Sequence, residues 1–353
     1  MDRVDRSIFT VLDGILSRRV RSSSPFVERR KKAPFVDCSG GSWQCASHRF
    51  HLGRRWEAGG ACGIQMHVGR KGRRNEADGG TLSIRYMVLR ELNRGGVAVV
   101  YKGIDGETGE KVALKVLELG PVEAADMVKG RVEREIRHLA EVRHENIVSL
   151  LNVFVDGDQL VIVLELIEGY DLLEVLNRKG GVLVEDQARH YFLQLLSGVE
   201  FMHEHHKICH RDLKPENCMI ELKTDKLKII DLGLSKRLQS ARTLGVGTPG
   251  YMAPELLHVG NNTVGQYDAS LADVWSLGST LYLMTTGFHA WEDPNHPKDI
   301  SKTLYNCIAG RYRKLPPHLQ NTALADLLKK MLVPSPYERL TLQAVREHEW
   351  VSR

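Results

Sequence analysis

The sequence predicts an α+β protein in two parts, a small sheet-rich part followed by a larger helical one. Three observations carry this reading. Residues 84–117 alternate apolar and polar positions, are rich in Val, Leu and Tyr, and are broken at Gly95-Gly96 and Asp105-Gly106, the pattern of consecutive antiparallel strands. Two more strand-like runs, 148–155 and 160–167, follow a segment with helical spacing over 122–141. After Gly169 the periodicity is helical to the end, clearest over 188–203, 270–286 and 323–331. Strands gathered in one stretch and helices in the next imply separate layers rather than βαβ alternation. No internal repeat is visible.

The chain has 353 residues, room for one large two-lobed domain or two ordinary ones. Hydrophobic residues make up 42% and charged residues 26%, which excludes a wholly disordered chain. The longest apolar run, Leu160 to Leu164, is closed by Glu165 and is far short of the roughly 18 residues of a spanning helix, so no membrane span is expected. The net charge of +5 is unevenly held: residues 1–80 carry 16 Lys and Arg against 8 Asp and Glu, while the remaining residues are net acidic by 3. The bulk of the chain therefore gives no reason to expect a nucleic-acid partner. Six scattered cysteines read as reduced thiols of a cytoplasmic or nuclear protein.

Residues 1–80 mix Arg clusters with Gly and Ser pairs and read as a disordered basic extension, with the folded domain at 81–353 divided into 81–167 and 168–353. Within the extension Ile8, Leu12, Ile15 and Leu16 share one helical face ahead of Arg18, Arg19 and Arg21, the form of an organelle-targeting or surface-binding helix. Asp2, Asp5 and Asp13 argue against the transit type, which is poor in acids. Cys38, Cys45, His48, His51 and Cys62 contain no C-x₂-C pair and read as stray side chains rather than a zinc site.

The sharpest signal is the run His210-Arg211-Asp212-Leu213-Lys214-Pro215-Glu216-Asn217, whose eight residues in this order resemble the catalytic loop of the eukaryotic protein kinases. The other expected pieces follow in order over residues 85–350. The resemblance implies the two-lobed kinase fold and a protein serine/threonine kinase that transfers the γ-phosphate of ATP, with Mg²⁺, to protein hydroxyls. It makes Asp212 the residue that orients the acceptor hydroxyl, Lys214 the γ-phosphate lysine of the serine/threonine type, and Asn217 and Asp231 (of Asp231-Leu232-Gly233) the metal ligands. Val112-Ala113-Leu114-Lys115 resembles the strand whose lysine meets the α/β-phosphates. Its partner is expected to be Glu135 rather than Glu133, which lies about 200° away around a helix.

The Gly-rich loop departs from the family pattern. It falls on Asn93-Arg94-Gly95-Gly96-Val97-Ala98-Val99-Val100 and keeps only Gly95. Asn93 can still turn and Ala98 is small, so nucleotide affinity is expected to drop modestly without being abolished. By position, Val100 and Ala113 would cover the adenine from above and Met219 from below. Glu165 and Ile167, after the gatekeeper Leu164, would present backbone groups to it, and Asp171 would meet the ribose. Simple core packing is the alternative reading for the apolar members of that set.

Residues 231–255 have the length of an activation segment, and Gly247 to Glu255 resembles its anchor. Thr248 stands where a threonine bridges base and lysine, Glu255 is expected to pair with Arg339, and Asp273 resembles the buried carboxylate that pins the catalytic loop. Arg211 stands where kinases bind an activation-segment phosphate, with Thr243 the first phosphosite candidate and Ser240 the second. His203 reads as a helix-end histidine, not a metal ligand. Residues 267–275 and 291–299 resemble the calcium/calmodulin-dependent kinase group, most closely plant sucrose-nonfermenting-related kinases. With the chain ending at Arg353, no calcium-binding or autoinhibitory module is expected after the domain. Asp171 and Glu216, with Leu283 where some kinases carry another acid, imply a preference for one basic residue upstream of the acceptor. Expected partners are Ser/Thr-containing protein substrates and an upstream activating kinase, and a monomer is expected. A pseudokinase scaffold, or a basic extension docking on anionic lipid or nucleic acid, are the rival readings.

Overall fold

The computed structural model describes residues 64–65, 85–96, 98–118, 122–156, 159–237, 248–257, 268–297 and 299–353. The sequence readings of the basic extension therefore lie outside the described residues, apart from the two-residue strand β1 (Ile64–Gln65), as do Thr243 and Ser240. The first lobe is an antiparallel sheet of β1, β2 (Tyr86–Arg94), β3 (Ala98–Asp105), β4 (Lys111–Glu118), β5 (Leu150–Asp156) and β6 (Gln159–Glu165), ordered β1-β2-β3-β4-β6-β5. Helix α1 (Val122–Glu141) crosses between β4 and β5.

Side-chain alternation gives the sheet two faces. Val112, Leu114 and Val116 of β4 pack with Tyr86, Val88, Phe154, Val161 and Val163 in a small core of their own. The intervening positions Ala113 and Lys115 fall on the other face, as does Val100, which is directly opposite Lys115 in the β3–β4 register. That face looks toward the second lobe. The sheet thus sets which of these residues share the second face by parity alone.

The second lobe is helical: α2 (Leu172–Arg178), α3 (Glu185–His206), α4 (Pro254–Leu257), α5 (Ala269–Thr286), α6 (Ile300–Ile308), α7 (Ala323–Met331), α8 (Leu342–Glu347) and α9 (Glu349–Ser352). Helix α5 is buried nearly all round and runs through the core, its polar residues buried along with its apolar ones. Its neighbours include Trp291, stacked on Trp275 with ring centroids 4.5 Å apart. Asp268 starts it by accepting from Ser270 N, and Gly287 in the left-handed region ends it.

Five short strands lie at the junction of the lobes. β7 (Gly169–Asp171) pairs with β9 (Cys218–Glu221), which pairs with β10 (Leu227–Ile229); β8 (Ile208–Cys209) pairs with β11 (Lys236–Arg237). A Cβ on Gly169 would sit 1.8 Å from Ile220 O, so only glycine allows this approach. The β9–β10 hairpin and the β8–β11 pair bring residues 210–217 beside residues 230–235, and Ile230 N donates to Asn217 O at 3.0 Å.

Arg339 holds the lower part of this lobe together. It donates two parallel bonds to Glu255, at 2.7 and 2.9 Å, and others to the carbonyls of Leu271, Val333 and Pro334. Its side chain is fully buried and that of Glu255 is nearly so. Removing one partner of such a pair strands a charge, so Arg339→Leu is expected to cost about 3–5 kcal/mol of stability. A denaturant midpoint unchanged from wild type would contradict this.

Candidate active site

Lys115 of β4 and Glu135 of α1 form an ion pair. Glu135 is buried and is the acid on this helix that pairs with Lys115, while Glu133 Oε1 is buried with no hydrogen-bond partner. Lys115 Nζ also lies 3.6 Å from Asp231 Oδ1. Burial pushes the ammonium down, but Glu135 and Asp231 outweigh it and the group stays charged. Burial likewise pushes Asp231 up, and Lys115, the Gly233 N–H, His210 and Arg131 hold its carboxyl below the usual value.

The loop after β8 is fixed from below. Asp273 of α5 accepts the N–H groups of His210 and Arg211, each at 2.8 Å, and a third bond from His203 Nε2 at 2.7 Å. Arg211 has φ of 71°, a conformation that costs a side-chain-bearing residue, and the Asp273 bond to its own N–H supports it. Asp212 then projects toward the cleft. Thr248 Oγ1 donates to Asp212 Oδ1 at 3.0 Å and accepts from Lys214 Nζ at 2.6 Å, while Lys214 lies 3.3 Å from Asp212 Oδ2. Asn217 Nδ2 donates to Asp212 O and Oδ2 at 2.8 and 3.1 Å, which turns its carbonyl oxygen the other way.

Asp212, Lys214, Asn217, Thr248, Asp231, Lys115 and Glu135 are thus brought together as the sequence placed them. The donors left for a cation are a carboxamide oxygen and a carboxylate that is 40% exposed in the cleft. An all-oxygen set of this kind suits Mg²⁺. Val100, Ala113, Met219 and Ile167 are half-buried and Leu164 is buried; Val100 is opposite Lys115 in the β3–β4 register, and Met219 is opposite Asp171 in the β7–β9 register. Gly95 N donates to Ala98 O at 2.9 Å and Asn93 Oδ1 accepts from Arg94 N at 2.8 Å, so the loop retains a tight turn without the other two glycines. The Glu165 N–H is taken by Ser149 O at 3.0 Å. Asp171 Oδ1 caps α2 by accepting from Glu174 N at 2.7 Å, so this carboxylate has a structural duty beside the one expected of it.

Sequence reasoning missed several polar residues here. Arg131 Nε donates to Gly233 O, His138 Nδ1 is 2.7 Å from Ser235 Oγ, and Lys228 Nζ meets Glu165 Oε1 at 2.8 Å. The spacing of Arg131, Glu135 and His138 along one helical face was the available signal. Arg211, Arg134 and Lys236 gather nearby: burial, Arg211 and Arg134 together hold the Lys236 pKa below its usual value. Among the described residues no group of His, Cys, Asp and Glu gathers as a separate metal site, and no helix is long and apolar enough to cross a membrane.

A sheet lobe, a helical lobe and this cleft define a phosphotransferase of the protein kinase type. Residues 86–351 match the protein kinase domain family, to which the chain belongs. Among its relatives, serine/threonine-protein kinase SAPK5 of Oryza sativa subsp. japonica is 37% identical over 270 residues, 75% of this chain and 70% of that protein. Serine/threonine-protein kinase SRK2A of Physcomitrium patens is 36% identical, covering 75% of this chain and 74% of its own length. Serine/threonine-protein kinase SRK2E of Arabidopsis thaliana is 36% identical over 272 residues, 76% of this chain and 72% of that protein. The chain is a kinase of the serine/threonine branch, related to these plant enzymes.

Burial raises the Asp273 pKa, but the His203 bond, the charges of His203 and His210 and the Arg211 N–H together hold it below 3.8. A depressed carboxyl stabilises the fold above its unfolded pKa, and that contribution fades as pH falls below 3.8 toward the folded value. Asp273→Asn is expected to lose about 1.5–3 kcal/mol at neutral pH and to flatten the acid limb of the stability curve. Parallel wild-type and variant curves would refute the assignment.

Proposed function

We propose that this chain transfers the γ-phosphoryl group of MgATP to serine or threonine hydroxyls of protein substrates, with the residues above in the roles their geometry suggests. The observation that carries this is the Asp212–Thr248–Lys214 triangle beside Asn217 and Asp231. Asp212, 14% exposed, can accept a bond from an incoming hydroxyl and aim it, while Thr248 fixes its other oxygen. Lys214 places positive charge beside Asp212, where the transferred group arrives. Lys115, oriented by Glu135, would hold the α/β-phosphates. Asn217 and Asp231 would hold the metal, which when bound neutralises phosphate charge.

The surroundings of the nucleotide follow. Val100 and Ala113 above and Met219 below would enclose the purine, with the Glu165 carbonyl and the Ile167 backbone at its edge and Asp171 near the ribose. Asn93, Gly95 and Ala98 would form the loop over the phosphates. The intact set favours turnover over a scaffold role. Asp212→Asn is expected to lower kcat by at least about a hundredfold, while leaving MgATP binding in place. Equal turnover by wild type and variant would sink the proposal.

The cationic group of Arg211, Arg134 and Lys236 supports a second part: an upstream kinase phosphorylates Thr243, or Ser240, and the phosphate docks there. Thr243→Ala should then lose activity by about tenfold, the rate equivalent of one charge-assisted bond. Full activity in that variant, with phosphate absent from Ser240 by mass spectrometry, would refute it. Placement in the calcium/calmodulin-dependent group rests on residues 267–275 and 291–299; a tree placing the domain elsewhere would remove it.

A further inference from the structure

Helix α1 touches the segment that carries Asp231 at more places than its ion pair with Lys115. Arg131, Glu135 and His138 stand four and three residues apart and so share one face of the helix. Arg131 Nε donates to Gly233 O at 2.9 Å. His138 Nδ1 lies 2.7 Å from Ser235 Oγ, and that hydroxyl donates back to Leu232 O at 2.5 Å. His138 and Ser235 are each 2% exposed, so water does not compete for their bond. Between them, Asp231 Oδ1 accepts the Gly233 N–H at 2.8 Å. A Cβ on Gly233 would meet Asp231 Oδ1 at 3.0 Å, Arg131 Nη2 at 3.3 Å and Glu135 Oε2 at 3.4 Å, so the helix closes over this glycine with no room to spare.

We propose that Arg131, His138 and Ser235 are positioning residues for Asp231, holding the 231–235 turn against helix α1 so that the carboxylate stays aimed at the metal. The Lys115–Glu135 pair fixes where the helix sits against the sheet. The two outer contacts fix where the turn sits against the helix. Arg131 anchors the turn just after the carboxylate and Ser235 anchors its far end, so Asp231 cannot swing without breaking one of them. Helix and metal ligand therefore move as one body.

The inference rests on the MgATP reading above, and nucleotide binding separates the two. The full chain is titrated with a fluorescent nonhydrolysable ATP analogue, once with excess Mg²⁺ and once in EDTA. The wild-type ratio of the two dissociation constants measures what the metal contributes. In Arg131→Met and in Ser235→Ala that ratio should fall by about five- to tenfold, the equivalent of one lost hydrogen bond, with the EDTA value held within about twofold. Arg131→Lys should recover part of the loss. Hydrogen exchange at residues 232–235 should quicken by about tenfold in both variants, a change readable without any nucleotide. An unchanged ratio in folded variants, or equal loss with and without metal, overturns the proposal. Ser235→Ala removes one oxygen and carries the test alone if Arg131→Met does not fold. A wild-type protein whose affinity is indifferent to Mg²⁺ would instead overturn the MgATP reading.

Discussion

The buried carboxylate of Asp273 is the constraint on which the site depends. An ionised group inside a helical core is tolerated only when its lone pairs are used, and here two backbone N–H groups and a histidine use them. Those N–H groups belong to the loop that carries Asp212, so the electrostatics of the core and the pose of the reactive loop are one problem. Arg211 shows the cost of the arrangement: its left-handed backbone is a strained conformation at the point where Asp273 accepts its N–H at 2.8 Å. From that point the geometry propagates by short steps, through Asn217 to Asp212 and across Ile230 to Asp231.

The two lobes meet through charge rather than through apolar packing alone. Lys115 reaches Glu135 and Asp231, and Lys228 of β10 reaches Glu165 at the end of β6. Glu168, which follows, takes both Lys102 and Lys111, and those bonds pull its pKa down to about 2. Glu168 is exposed, so these pairs hold little energy under physiological salt. Their value is geometric: they tie the connection between the lobes to β3 and β4.

Much of the architecture was legible because it is periodic or local. Strand alternation over 84–117 located β2, β3 and β4, helical spacing gave 122–141 and 323–331 with the observed bounds, and the run from His210 to Asn217 is contiguous. The choice of Glu135 over Glu133 also came from helical geometry. The Gly-rich loop was read as weakened, and in the structure Gly95 N still donates to Ala98 O across it, with no positive φ at Gly95 or Gly96 that would demand glycine there.

What the sequence alone determined is the family, through the contiguous run His210 to Asn217, and which face of a strand or helix a residue occupies, since these follow from order and period. What only the tertiary structure decided is which distant groups meet: Arg131 with the Gly233 carbonyl, His138 with Ser235, Asp273 with two amides some sixty residues earlier. Such pairs join a side chain to a backbone atom or to a partner with no fixed spacing. Their identity depends on how helices and hairpins pack, and packing is set by the whole chain at once.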